Sequence, residues 1–150
     1  MGHTYTDIVL HVVFSTAERR PTIDESFRER LCKYMVGIAR QEFGKALEIG
    51  GVADHVHGLI SLRANVSLAE AMRDWKALSS KWINEVIQPR QRFAWQTGYS
   101  PFSVSRSQTS KVVNYILSQE QHHRKMSFKD EVFTLLKKHQ IEHDLNYLWD

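Results

Sequence analysis

The stretch "GGVADHVHGLISL", residues 50–62, sets two histidines one residue apart inside what otherwise reads as a hydrophobic strand. Side chains alternate along an extended chain, so His55, His57, Leu59 and Ser61 share one face, while Val56, Ile60 and Leu62 share the other. The apolar set belongs against a helical layer. Both imidazoles then take the opposite face, with Cα atoms about 6.6 Å apart by two strand rises. Imidazole is the commonest metal-binding side chain, and two of them can lean toward one cation. Two solvated histidines on an edge strand would have the same spacing, so the metal reading needs a third ligand.

Working outward from this strand gives the order of elements. Upstream, Ile8, Leu10, Val12 and Phe14 alternate with Asp7, Val9, His11, Val13 and Ser15, which predicts a strand over 6–16 with one buried face. Thr22 and Glu25 fit a capping box ahead of Phe27, Leu31, Tyr34, Met35 and Ile38, which recur at helical spacing and predict a helix over about 23–43. "KALEIG" and "HVHGLISL" flank the Gly50-Gly51 break as two strands of a hairpin. Ser67 and Glu70 open a second capped helix with the stripe Ala71, Met72, Trp75, Leu78, Trp82 and Val86, ending by Pro89. Phe102 and Val104 alternate with Ser103 and Ser105 as a fourth strand; helices follow over about 109–123 and 127–139, and the tail "EHDLNYLWD" is apolar enough to dock. The pattern predicts an α+β fold, a ferredoxin-like βαββαβ sandwich. Its antiparallel sheet has two helices on one face, an open face for a site and an added C-terminal helix.

The third helix offers the missing ligand. At 100° per residue Val112, Val113, Ile116 and Leu117 form an apolar stripe, and Tyr115, Gln119 and His122 line its flank. If Gln119 lends its amide oxygen to a cation held by His55 and His57, the Tyr115 hydroxyl lies near that cation. Taken alone, Tyr115 reads equally as a half-buried packing residue and Gln119 as a surface amide. His122 and His123 are about 100° apart on the helix and cannot both face one ion, so His122 is a reserve ligand.

The remaining composition is that of an ordinary globular protein. The 150 residues fit one domain spanning 1–150, with 42% hydrophobic and 25% charged residues. A net charge of +3 favours a polyanionic partner only mildly. The single cysteine, Cys32, sits in an amphipathic run that predicts a buried thiol, and the absence of a disulfide framework fits a reducing cytosol. No stretch approaches a membrane span, and "MGHTYTDIVLHVVFST" lacks the flank of a signal peptide. The expectation is a soluble cytoplasmic protein with no membrane partner.

"DHVHGLI" and "YILSQEQHH", preceded by "LHVVFST" and "WQTGYSPFSVSRSQ" and closed by "YLWD", resemble the single-tyrosine HUH transposases of small insertion sequences mobilised as single-stranded DNA, the IS200-like family. Relatives of that family are associated with repetitive extragenic palindromes. His55, Val56 and His57 match the HUH motif, Tyr115 falls on the family's nucleophile and Gln119 on its third metal ligand. The resemblance implies cleavage and rejoining of single-stranded DNA through a 5′-phosphotyrosine intermediate. It also implies Mg or Mn as the divalent cation, DNA hairpins as the recognised feature, and a homodimer in which Tyr115 acts in cis or in trans. By ligand type alone, paired imidazoles suit a transition metal better than magnesium, and manganese reconciles the two arguments.

For phosphate contact the sequence offers Arg19, Arg20, Lys76, Lys81, Arg90, Arg92 and Arg106, interleaved with Phe93, Trp95, Tyr99 and Phe102, on which unpaired bases could stack. Phe102 and Trp95 read as well as core packing. A sheet edge beginning at Thr6 would suit a dimer. The alternative function is a domesticated or non-catalytic hairpin-binding protein on the same fold. A phosphodiesterase using two H-x-T or H-x-S motifs ranks below both, because no second such pair occurs.

Overall fold

The computed structural model describes residues 2–119 and 126–143. His122, His123 and residues 144–150 of the docking tail lie outside the described residues. The elements run β1 (Ile8–Ser15), α1 (Glu25–Glu42), β2 (Gly44–Gly51), β3 (His55–Leu62), α2 (Leu68–Trp82), β4 (Ser100–Ser103), α3 (Thr109–Leu117) and α4 (Phe128–Lys138). The sheet order is β2-β3-β1-β4, antiparallel at every junction. Strands β1 and β2 therefore run the same way with β3 between them, which is the split βαβ arrangement the pattern predicted. Because β1 pairs on both sides, no edge begins at Thr6; the edge strands are β2 and β4.

The alternation of β3 sorts its side chains as expected. Val56, Ile60 and Leu62 pack with Val12 and Phe14 of β1 against Phe27, Leu31 and Met35 of α1 and Met72 and Trp75 of α2. The Trp75 indole N–H donates to the Met35 carbonyl at 2.9 Å, so this fully buried ring has no unmet donor. Gly58 sits beneath that ring: a Cβ there would lie 2.5 Å from Trp75 Cη2. Ser67 caps α2 by accepting from the Glu70 amide at 3.1 Å. Ser127 does the same for α4 with Asp130 at 3.2 Å. At α1 the cap is Asp24, accepting from the Ser26 amide at 2.9 Å, and not Thr22 with Glu25. Thr22 lies too far upstream of the first turn, and its hydroxyl donates to the Arg20 carbonyl.

The second sheet face is covered, not open. Val9 and Leu59 pack with Ile116 of α3, and Val13 and Phe102 pack with Phe128, Val132 and Leu136 of α4. β1 is therefore buried on both faces, contrary to the one-face expectation. Gly50 permits this close cover, since a Cβ there would meet Ile116 Cγ2 and its carbonyl oxygen at 2.8 Å. The hairpin break falls after Gly51, not at the glycine pair, with the Val52 amide bonded to the His55 carbonyl at 3.1 Å. α3 ends at Leu117: Ser118 takes φ −98° and ψ 18°, and its hydroxyl bonds back to the Asn114 carbonyl at 2.9 Å, a local competition with helix propagation. Leu117, expected in the apolar stripe, is 64% exposed.

Replacing Gly58 by Ala should force β3 or Trp75 to shift and destabilise the protein by about 1–3 kcal/mol. A lowered midpoint in urea denaturation checks it, and an unchanged midpoint would contradict this packing.

Candidate active site

The β1–β3 register sets Val13 opposite His57 and Ser15 opposite His55, so the odd residues of β1 share the histidine face. His11 is the diagonal neighbour of His57. Its Nε2 lies 2.8 Å from His57 Nδ1, and the rings stack with centroids 5.0 Å apart. His55 Nδ1 bonds the Asp54 carboxylate at 2.7 Å, and its ring stacks on Phe128 with centroids 4.0 Å apart. Both HUH histidines are 0% exposed.

Helices α3 and α4 complete the cluster. Tyr115 of α3 sits edge-on to His57, with ring centroids 5.7 Å apart, and its hydroxyl donates to Oε2 of Glu131 on α4. The other oxygen of Glu131 lies 2.9 Å from His57 Nε2 and 3.5 Å from His55 Nε2. Gln119 is buried; its amide nitrogen donates to the Tyr115 carbonyl at 3.2 Å. The structure thus brings His55, His57, Tyr115 and Gln119 into one neighbourhood, within a single chain.

Two residues of this neighbourhood were not singled out from sequence, and each left a signal there. Glu131 lies one turn after Phe128 and beside Val132, inside the apolar stripe of α4, yet it is only 1% exposed. A carboxylate embedded in a buried stripe is unusual unless paired. His11 alternates with the core-facing residues of β1, so an antiparallel pairing with β3 puts it on the histidine face.

Burial and charge tune these groups differently. Burial, and next the neighbouring His57, push His11 down to about 3, so its imidazole is neutral at physiological pH. Burial alone would lower His55 as well, but its hydrogen bonds to Asp54 and Glu131 outweigh that and raise it. Burial, followed by the hydrogen bond to Glu131 and its charge, holds the Tyr115 phenol well above its ordinary range; a hydrogen bond from Gln119 works the other way.

The donor set suits a cation. One ligand atom from each of His55, His57 and Glu131 lies within 4.8 Å of the others. Two imidazole nitrogens and a carboxylate oxygen form a mixed set that manganese, iron or zinc accepts more readily than magnesium.

A cavity of about 480 Å³ adjoins Tyr115 and His11, with Lys111, Lys138 and His139 in its lining. A second, of about 540 Å³, runs along α2 past Arg73, Lys76 and Arg92. Lys76 is committed there to the Thr97 and Gly98 carbonyls at 2.8 and 2.9 Å, and burial lowers it to about 8. Arg20 pairs with Glu18 at 2.7 Å and Arg106 pairs with Asp7. Lys81, Arg90 and Arg92 are exposed, and Arg19 is half-buried. Phe93, Trp95 and Phe102 are core residues, which removes them as stacking platforms. Cys32 is half-buried, and burial pushes its thiol up to about 11.

Glu131→Gln removes the negative charge beside Tyr115, and that charge disfavours phenolate. The Tyr115 phenolate absorbance, taken as the difference from a Tyr115→Phe background, should then appear at lower pH than in the parent. An unchanged titration would contradict the pairing.

The family model described as "Transposase IS200 like" matches residues 4–119. No curated protein sequence matches the chain. A candidate transposase of Deinococcus radiodurans R1 is similar in structure, with a TM-score of 0.62 at 18% identity, covering 79% of this chain and 96% of that one. So is a REP-associated tyrosine transposase bound to a REP hairpin, with a TM-score of 0.59 at 13% identity, covering 82% of this chain and 73% of that one. The two likenesses support the sheet and helix arrangement already described, and the family match extends well beyond half of the sequence: the chain belongs to the IS200-like transposase family.

Proposed function

We propose that this transposase cleaves and rejoins single-stranded DNA by a metal-dependent mechanism in which Tyr115 is the nucleophile, with DNA hairpins as the recognised partner. The observation that carries this reading is the Tyr115 hydroxyl held on the same carboxylate that faces both HUH histidines. His55 and His57 would hold the cation through Nε2, with Glu131 or Gln119 as the further protein ligand. A divalent ion bound there supplies Lewis-acid polarisation of the scissile phosphate.

In this arrangement Tyr115 is a protonated phenol. A phenol of ordinary pKa near 10 is about one part in a thousand ionised at pH 7, which corresponds to roughly 4 kcal/mol. Burial and Glu131 shift Tyr115 further in the unfavourable direction. Its proton must therefore leave as the oxygen attacks, and Glu131 Oε2 is the acceptor already in contact. Tyr115 Oη bonds to phosphorus, the bond from phosphorus to the 3′ oxygen breaks, and that oxygen takes up a proton as the free 3′-hydroxyl. A later attack by a 3′-hydroxyl on the tyrosyl phosphate restores a phosphodiester without an external energy source. His55 lies buried under the Phe128 ring and His57 is fully buried beside it, so the cavity beside Tyr115, with Lys111 and Lys138, is the proposed approach for the strand. Exposed Lys81, Arg90 and Arg92, together with half-buried Arg19, are the proposed contacts for the hairpin's phosphates; Arg20, Lys76 and Arg106 would first have to release or share their present partners. A homodimer, in which Tyr115 acts in cis or in trans, is part of the proposal by family resemblance.

The reading is tested with a single-stranded hairpin oligonucleotide from the gene's own flank, in manganese or magnesium. The parent should form an adduct that survives denaturation, and Tyr115→Phe should form none. His57→Ala should lose cleavage while keeping hairpin binding. An adduct in Tyr115→Phe equal to the parent's, or full cleavage by His57→Ala, would sink the mechanism.

A further inference from the structure

The hydrogen bond between His11 and His57 can run in two directions, and one of them prepares His57 to hold a cation. Glu131 Oε1 lies 2.9 Å from His57 Nε2. With the proton on Nε2, His57 donates to Glu131, and its Nδ1 accepts from His11 Nε2–H across 2.8 Å. A metal ligand needs a bare lone pair on a neutral imidazole. For Nε2 to be that atom, His57 must carry its proton on Nδ1 and donate it to His11.

We propose that His11 is the positioning residue of the metal site: it accepts from His57 Nδ1–H, fixes the tautomer and aims the Nε2 lone pair at the cation. This deepens the metal-dependent reading above and rests on it. Asp54 stands in the same relation to His55, with its carboxylate on Nδ1 at 2.7 Å. The side chain that holds the far nitrogen of a ligating histidine sets both its tautomer and its orientation.

The choice of an imidazole at position 11 follows from the proton count. In the metal-free arrangement His57 needs a donor at Nδ1, and in the loaded one it needs an acceptor there. An ionised carboxylate could only accept. A neutral imidazole does both by changing tautomer: the His11 Nε2 proton passes to His57 Nδ1, the His57 Nε2 proton leaves toward Glu131 and solvent, and His11 takes one up at Nδ1. Each ring ends with one proton, as it began. His11 also borders the cavity beside Tyr115, which gives that exchange a path to water. Packing alone does not call for a histidine here, because Phe102 and Leu59 beside it are apolar.

The test uses the full chain without DNA, titrated with manganese while free aqueous Mn is read by electron paramagnetic resonance. His11→Phe keeps the ring volume and removes the hydrogen bond; it should weaken binding by about 10–100-fold, as loss of such a partner does. His11→Gln, whose amide reaches as far as Nε2 and can donate or accept, should restore most of the affinity. In the zinc-loaded parent, 15N NMR should find the His57 proton on Nδ1. Parent-like affinity in His11→Phe, equal losses in both variants, or a proton on His57 Nε2 in the zinc form would overturn the proposal. A parent that binds no cation would overturn the metal-dependent reading along with it, which separates the two failures.

Discussion

A carboxylate withdrawn from water is costly by several kcal/mol unless other groups replace the lost hydration. Glu131, 1% exposed, meets that demand with both oxygens: one faces the Nε2 atoms of His55 and His57, the other accepts from Tyr115. Three elements distant in sequence are tied through one side chain. Strand β3 brings the histidines, α3 the tyrosine and α4 the carboxylate, and the apolar contacts of Phe128 and Val132 with the sheet hold that carboxylate in place. In the proposed mechanism the carboxylate that adds to the effect of burial in raising the phenol is also the acceptor for its proton.

The sheet works as a divider. Its helix-covered face carries the main core, in which Trp75 lies over Gly58. Its other face carries the polar cluster, closed by α3 where Gly50 allows close approach. Period-two alternation in β1 and β3 keeps the two environments apart, and a slip of one residue in the β1–β3 register would exchange them. Rigid strands thus position His11, His55 and His57, while the helices supply Tyr115 and Glu131.

Local patterns made much of this legible. The βαββαβ order, the cap at Ser67 and the sorting of Val56 and Ile60 from His55 and His57 all follow from spacing within a few residues. The HUH pair, with Tyr115 and Gln119 one turn apart, carries the family resemblance in the sequence itself. What stayed hidden depended on long-range contact. Glu131 is separated from His57 by 74 residues and from Tyr115 by 16, and only packing of α4 on the sheet joins them. The covered second face escaped notice for the same reason, because Val9 and Val13 looked like interruptions of a polar face until α3 and α4 came to lie on them. Of the arginines, Arg20 and Arg106 read as available charge; their pairing with Glu18 and Asp7 appears only in three dimensions.

The account stands or falls on where the covalent bond to DNA forms. Peptide mapping by tandem mass spectrometry, after the parent has reacted with a single-stranded hairpin substrate and nuclease has trimmed the adduct, locates that bond directly. The account predicts a residual 5′-phosphonucleotide on Tyr115 alone. A nucleotide on any other residue, with Tyr115 unmodified, would contradict it.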